Sequence, residues 1–534
     1  MRRHGNVTML LALALGGSLV AGCTSQTSDA PSPGTSGANS PTESAVLANP
    51  AVVAGVDIPR NQIDDAVGRL DELANELMES SGVPGMAVAV VHGGQTLYAK
   101  GFGVREAGTD HKVDADTVFQ LASLSKPVGS TVIARQVGAG MIGWDTPIAS
   151  TLPDFSLADP WVTEHVTVGD LYSHRSGLPD HAGDKLEDLG YNRAQVLDKL
   201  RLEPLNPFRI SYAYTNFGLT AAAEAVAAAS GTDWATLSEQ AIYQPLGMSS
   251  TSSRFADYQV HRDRATAYQL VDGRYVAAVR DPDAQSPAGG VSSTANDMGK
   301  WLTMLLLDGS FDGRQIVAYD ALLPAVSPQI VSNPPGSPDA RPGLYGYGFN
   351  VSTTPAGRVS LSHSGAFNLG AAANFVAIPS ADVAIVALTN GSPIGIPETL
   401  TAEFADLVQF GEIREDWRAL YAQAFAPMLD PEGSLVGKDA PTNPAPAQAL
   451  PTYTGDYDNN YWGPAVVTAN DGALSLQLGP VGQTFPLTHW SGDTFTFTPS
   501  GENAPPGTIS KAAFAGDGVT LEYYNTHGQG TFVR

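Results

Sequence analysis

Residues 118–128 read VFQLASLSKPV. Two apolar residues, Val118 and Phe119, lead into Ser123-Leu124-Ser125-Lys126, and Pro127 follows. Proline has no N–H and is tolerated best in the first turn of a helix, so a helix is expected to begin close to Ser123. Residues i and i+3 of a helix share a face, which sets the Lys126 amine beside the Ser123 hydroxyl. A serine hydroxyl is a poor nucleophile at neutral pH and needs a base. A lysine whose pKa is lowered by desolvation can be that base. The helix start also brings backbone N–H groups, that of Ser123 among them, to where an oxyanion would form. Read alone the pattern is weak, because Ser-x-x-Lys arises by chance on ordinary exposed helices.

Two further motifs lie downstream. Tyr214-Thr215-Asn216 occurs in YAYTNFGL, ahead of an Ala-rich helical stretch. A phenol near Lys126 can share the serine proton and deliver it to a leaving group, and Asn216 offers an amide to orient substrate. His363-Ser364-Gly365 occurs in RVSLSHSGAFNLGAAANF, where the alternation of Val359 and Leu361 suggests a strand edge. There Gly365 leaves room for close backbone approach to a ligand. His363 adds a polar or cationic group, and the Ala366 N–H could be a second oxyanion donor. Taken singly, a core tyrosine with a capping asparagine and a surface histidine beside a turn glycine are the plainer interpretations.

In chain order, Ser-x-x-Lys, Tyr-x-Asn and His-x-Gly stand about 90 and then about 150 residues apart. Together they resemble the penicillin-recognising serine hydrolases: class C β-lactamases, D-alanyl-D-alanine carboxypeptidases, D-aminopeptidases and related esterases. LYSHRSGLP (171–179) and PAGGVSS (287–293) are similar to the same family. The resemblance spans roughly 60–425, and the tail resembles the small β domain that often follows such bodies. It implies a β-lactamase/transpeptidase-like body, an antiparallel sheet flanked by helices plus an all-helical lobe. It also implies catalysis by Ser123, Lys126 and Tyr214, with substrate held by Asn216, His363 and Gly365. The lysine of the more usual Lys-Thr-Gly motif is His363 here, a departure that argues against efficient β-lactam hydrolysis. A fixed Ser-His pair is disfavoured, because the mature chain has no Gly-x-Ser-x-Gly elbow.

Local patterning agrees with an α+β body. Ile63, Val67, Leu70, Leu73 and Leu77 recur at helical spacing until Gly82 and Pro84, and His92-Gly93-Gly94-Gln95 separates two apolar runs as a hairpin turn would. Helical patterns at 217–230 and 297–308 mix with apolar strands such as 383–388, without regular βαβ alternation. Prolines at 431, 441, 444, 446 and 451 mark a linker. Beyond it, alternating runs at 473–479, 494–499 and 519–524, separated by Asn-Asp-Gly, Ser-Gly-Asp and Gly-Asp-Gly, predict a small antiparallel barrel or sandwich. The predicted boundaries are 1–22, 23–55, 56–428, 429–449 and 450–534: signal, lipidated stalk, hydrolase body, linker and β domain.

The N-terminus reads as an export signal. Arg2 and Arg3 precede an apolar run from Val7 to Val20, too short to span a bilayer, and Ala21-Gly22-Cys23 resembles the lipobox of bacterial lipoproteins. Cys23 is the chain's single cysteine, so it needs no disulfide partner. The competing interpretation is a plain secretory signal. The expectation is an extracytoplasmic protein, lipid-anchored to a bacterial membrane through Cys23, with 24–50 as a flexible stalk. A net charge of −25 and the lack of any Lys/Arg cluster argue against nucleic acid as a partner. No His-Glu-x-x-His, cysteine pair or phosphate loop is present, so no metal or cofactor is expected, only a small-molecule or peptide substrate. Two rival classes remain: a catalytically silent sensor holding cell-wall fragments, and a carbohydrate module built on Trp462, Trp490 and the tyrosines at 453, 457 and 461.

Overall fold

The computed structural model describes residues 49–534. The expected signal segment, Cys23 and the stalk up to residue 48 lie outside the described residues. The helical periodicity near the start forms two helices, α1 (Gln62–Gly68) and α2 (Leu70–Ser81). Gly68, a poor helix former, ends the first, and Gly82 at φ 69° closes the second as a left-handed cap.

The hairpin follows as β1 (Gly85–His92) and β2 (Gln95–Gly103). Gly93 and Gly94 both hold positive φ, which a two-residue turn between twisted strands requires. Six more strands complete the body sheet: β3 (Ile330–Asn333), β4 (Gly343–Tyr345), β5 (Asn350–Thr353), β6 (Val359–Phe367), β7 (Ala371–Ile378) and β8 (Val383–Thr389). The order is β2-β1-β8-β7-β6-β5-β4-β3, and every pair is antiparallel.

Strand β1 is apolar throughout because both of its faces are covered. Met86, Val88 and Val90 pack with α1, α2 and a late helix, Ile396–Phe410. Ala87, Ala89 and Val91 point to the opposite core, with Met298, Trp301 and Leu302 of the helix Ala295–Leu306. Beside the sheet lies a helical lobe centred on α3 (Ser125–Gly138), whose residues from Ser125 to Ala134 are all buried. The Ala-rich helix α4 (Asn216–Ser230) packs against it, small side chains letting the two backbones approach.

Between Leu429 and Leu450 the chain has no helix or strand. It then forms β9 (Gly455–Tyr457), β10 (Ala465–Asn470), β11 (Ala473–Leu478), β12 (Gln483–Ser491), β13 (Thr494–Phe497), β14 (Ser510–Ala515), β15 (Gly518–Leu521) and β16 (Thr531–Val533). These pair in simple succession. Asp458 and Val533 exchange two backbone hydrogen bonds of 2.7 and 3.0 Å, so the sheet is a nearly closed barrel. The run expected as strand through 524 leaves the sheet at Leu521. Tyr523 and Tyr524 are both buried, which a strand with one buried face cannot provide for consecutive residues, and a 3₁₀ turn does. Tyr453, Tyr457, Tyr461 and Trp462 are buried as well, so they form no exposed stacking face for a sugar.

Candidate active site

Ser123 sits in a tight 3₁₀ turn, Ala122–Leu124, that leads straight into α3. Ala122 holds φ 47°, a left-handed conformation that costs a non-glycine residue energy and persists only where the surroundings enforce it. The enforcement is visible. Ser125 Oγ donates to Ala122 O at 2.6 Å and accepts from Val291 N at 2.9 Å, while Leu121 N donates to Val291 O at 2.8 Å. The PAGGVSS stretch is thus the brace behind the turn.

Lys126 is fully buried. Its Nζ donates to Ser123 Oγ at 3.0 Å, Asn216 Oδ1 at 2.7 Å and Ala288 O at 3.1 Å, which uses all three ammonium hydrogens. Desolvation drops its pKa to about 7, against a smaller upward pull from Asp184. Loss of one proton leaves two hydrogens for the fixed acceptors Asn216 and Ala288, and turns the lone pair toward Ser123.

Tyr214 lies over the same amine, with Nζ 4.5 Å from its ring centroid, and its phenol hydrogen-bonds Ser123. Burial raises its pKa well above 10, more than the Ser123 hydrogen bond lowers it, so the phenol keeps its proton at neutral pH. Asn216 opens α4 and is held at both ends of its amide. Oδ1 accepts from Lys126, and Nδ2 donates to Asp184 Oδ2 at 2.8 Å, leaving one Nδ2 hydrogen for a ligand.

Asp184 and His181 escaped the sequence reading. His181 Nδ1 donates to Asp184 Oδ2 at 2.8 Å, and its backbone N–H donates to Tyr214 O at 2.8 Å. Burial opposes the charged imidazole, but Asp184 and Asp180 outweigh it and raise the His181 pKa. The available signal was position: Asp180-His181-x-x-Asp184 directly follows the SHRSGLP stretch. His174 of that stretch is buried, and its Nδ1 accepts from Thr215 N at 3.2 Å, fixing the residue before Asn216.

The third motif arrives with two corrections. His363 was expected to present a polar or cationic group to substrate, but its ring is only 4% exposed and turned inward. Nδ1 donates to Ser364 O at 2.7 Å and Nε2 accepts from Tyr345 OH at 2.9 Å, while burial and then Lys126 lower its pKa to about 3. A neutral imidazole with both nitrogens engaged cannot hold a carboxylate. Strand alternation turns Ser364 to the cavity instead, braced by Asn374 Nδ2 at 2.9 Å. Gly365 does mark a close approach, but to the chain itself. A Cβ there would lie 2.1 Å from Leu121 O, so glycine lets β6 press against the Ser123 turn.

Ser123, Tyr214, Asn216, Ser364 and Ala366 all line one cavity of about 730 Å³. Its far wall comes from beyond the body: Glu432 of the linker, then Tyr461, Trp462, Glu502, Asn503 and His527 of the barrel. The barrel is docked firmly. Tyr191 OH donates to Trp462 O at 2.7 Å, Asp188 Oδ1 and Oδ2 accept from the Glu502 and Asn503 N–H groups at 2.9 Å each, and Glu502 Oε1 accepts from Asn368 N at 2.6 Å. Among the described residues no group of three or more His, Cys, Asp or Glu is placed to hold a metal ion, and no helix is long and apolar enough to cross a membrane.

Comparison with known proteins agrees with the fold. The model of the Beta-lactamase family matches residues 70–408, and that of DUF3471, a domain of unknown function, matches 439–522. The chain is 27% identical over 415 residues to the unguisins hydrolase ungD' of Aspergillus campestris (strain IBT 28561), covering 74% of this chain and 75% of that one. It is 27% identical over 242 residues to the D-alanyl-D-alanine-carboxypeptidase/endopeptidase AmpH of Escherichia coli (strain K12), covering 44% of this chain and 61% of AmpH. Among solved structures, the octameric penicillin-binding protein homologue from Pyrococcus abyssi superposes with a TM-score of 0.58 at 19% identity, over 88% of this chain and all of that one. The family match covers well over half of the sequence, and the chain belongs to the β-lactamase family of serine hydrolases.

Proposed function

We propose that this protein cleaves an amide or ester bond through an acyl-enzyme on Ser123. The observation that carries the proposal is the Lys126 amine. It is buried, tuned to about 7, and 3.0 Å from the hydroxyl it would deprotonate. As the carbonyl of the substrate closes on Ser123, the neutral amine takes the hydroxyl proton. Tyr214, protonated throughout the neutral range, serves as the donor side of the relay and passes a proton to the leaving group. The backbone N–H groups of Ser123 and Ala366 are the proposed oxyanion donors. Water then enters from the cavity and cleaves the ester on Ser123, with Lys126 again as base. Asn216 and Ser364 orient the substrate, while His363 and Gly365 hold the walls of the site in place.

The test is covalent labelling. A fluorophosphonate probe is expected to add one mass increment to the native chain at Ser123, and none to Ser123→Ala. Undiminished labelling of Ser123→Ala would put the nucleophile elsewhere.

For location we propose an extracytoplasmic lipoprotein, a reading supported by the basic, apolar and Ala-Gly-Cys segments of residues 1–23. Cys23→Ser is expected to abolish incorporation of labelled palmitate and to leave the protein outside the membrane fraction. Equal palmitate incorporation into both forms would exclude lipidation at Cys23.

A further inference from the structure

Glu398 is a buried acid that the mechanism leaves without a role. It is the third residue of the helix Ile396–Phe410 and only 3% exposed. Its carboxyl lies against Ser364, whose hydroxyl acts on it, but neither carboxyl oxygen completes a well-aligned hydrogen bond and both are shut off from solvent. Ser364 does reach the cavity. Glu398 therefore meets no ligand directly, and any effect on one passes through that hydroxyl.

The hydroxyl has few choices. Asn374 faces Ser364 directly across strands β6 and β7, and its amide is fixed. Nδ2 donates to His363 O at 3.2 Å and to Ser364 Oγ at 2.9 Å, while Oδ1 accepts from Thr401 Oγ1 at 2.7 Å. A carbonyl oxygen only accepts, so His363 O forbids the flipped amide. One of the two Ser364 lone pairs is thereby taken, which leaves one lone pair and one hydrogen to divide between Glu398 and the cavity. An ionised Glu398 claims the hydrogen, and the lone pair faces the cavity. A protonated Glu398 donates its own hydrogen to the lone pair, and the Ser364 O–H turns to the cavity. Both forms are populated at neutral pH, because burial raises the Glu398 pKa to about 7 against smaller downward pulls from its own N–H and Ser364. Among the described residues no charged side chain contributes to that shift. Tyr421 of the helix Trp417–Phe425 is near enough to feel Glu398, but burial first and then that carboxyl push it up to about 12, so it stays neutral. Farther along the Glu398 helix, Glu403 is tied to Arg418 at 3.0 Å and Asp406 to Trp417 Nε1 at 2.7 Å.

Resting on the serine hydrolase reading of the same site, we infer that Glu398 is a positioning residue that sets the hydrogen-bond polarity of Ser364 toward the acyl group. With Glu398 ionised, the wall at Ser364 accepts and favours an acyl group that brings an N–H there. With Glu398 protonated, the wall donates and favours an oxygen. The preference of the cavity thereby follows a proton that the substrate never touches.

Two neutral p-nitrophenyl esters that differ in one position test this: N-acetylglycyl, with an amide N–H, and acetoxyacetyl, with an ester oxygen in its place. They share a leaving group, so the ratio of their kcat/KM values cancels the titration of Lys126 and any general loss of folded enzyme. On the native full-length chain the amide-to-ester ratio is expected to rise about fivefold as pH climbs through about 7, the scale of one hydrogen bond. Glu398→Gln, whose amide donates to Ser364 at every pH, is expected to hold the ratio at its low-pH value. Ser364→Ala should give a flat ratio that Glu398→Gln no longer alters. A merely structural role would lower both rates together and leave the ratio unmoved. A native ratio that is flat across pH, or a slope that survives in Glu398→Gln, would overturn the assignment. The two readings fail separately. Turnover that persists in Ser123→Ala would sink the serine nucleophile, while the dependence of the ratio on Glu398 is read whichever group attacks.

Discussion

Lys126 and Asp184 form the axis of the chemistry at the scale of single residues. The lysine pKa of about 7 reflects burial first, partly offset by the Asp184 carboxylate that reaches it through the Asn216 amide. The base works only when unprotonated, so kcat/KM is expected to rise with pH through about 7 and then level off. Asp184→Asn removes the charge that favours the ammonium, so the midpoint should move to lower pH, while the loosened Asn216 slows acylation about tenfold or more. A pH–rate profile separates the two effects. A midpoint that stays put would mean that Asp184 does not sense Lys126. The sequence offered Ser123, Lys126, Tyr214 and Asn216 because their motifs are local and ordered. Asp184 stayed hidden because its role depends on a 2.8 Å contact with a residue 32 positions away, which no spacing rule encodes. His363 was misjudged for a related reason: strand alternation shows that 363 and 364 face opposite ways, but not which of them faces the cavity.

Strand β6 is the element on which the site closes. It crosses the Ser123 turn with Gly365 at the point of nearest approach, where a methyl group would meet Leu121 O at 2.1 Å. Gly365→Ala must push strand and turn apart. It is expected to destabilise the fold by about 1–3 kcal/mol, the usual cost of overpacking. A shift near 1 Å between Ser123 and Ala366 should lower kcat by about 10²-fold. Denaturant melts and steady-state rates check both, and a fully active Gly365→Ala would show that the contact can relax. Elements with strong periodicity were legible in advance: the glycine turn of the hairpin, α4 and the helix Ala295–Leu306 all lie within a residue or two of where the sequence put them, although β2 runs on to Gly103, beyond its apolar stretch. The break at Gly68 and the 3₁₀ ending at Glu522–Tyr524 were not, since both depend on what the neighbouring layer covers.

Across the whole molecule, the junction of body and barrel is built from buried charge. Glu187, Asp188 and Glu502 surround Arg280, and burial raises the pKa of all three acids, Glu502 to about 8 from its ordinary 4.5. A carboxyl that holds its proton more tightly when folded contributes stability below its unfolded pKa, and that contribution drains away as pH climbs toward the folded value. The melting temperature is therefore expected to decline between about pH 4.5 and about pH 8. Glu502→Gln should flatten that slope, and an unchanged slope in a calorimetric pH series would assign it to other groups. That the tail is a β domain could be read from its turns. That it walls the cavity could not, because Asp188 and Glu502 meet across more than 300 positions of chain.

That junction also constrains how the two parts can be inherited. Apolar seams tolerate exchange, because any greasy surface of roughly the right shape will do. A seam of three acids around one guanidinium does not, since a foreign partner lacking the complementary groups strands a charge in the dark. Chimaeras that graft a related tail onto this catalytic half should misassemble unless Arg280, Asp188 and Glu502 travel as a set.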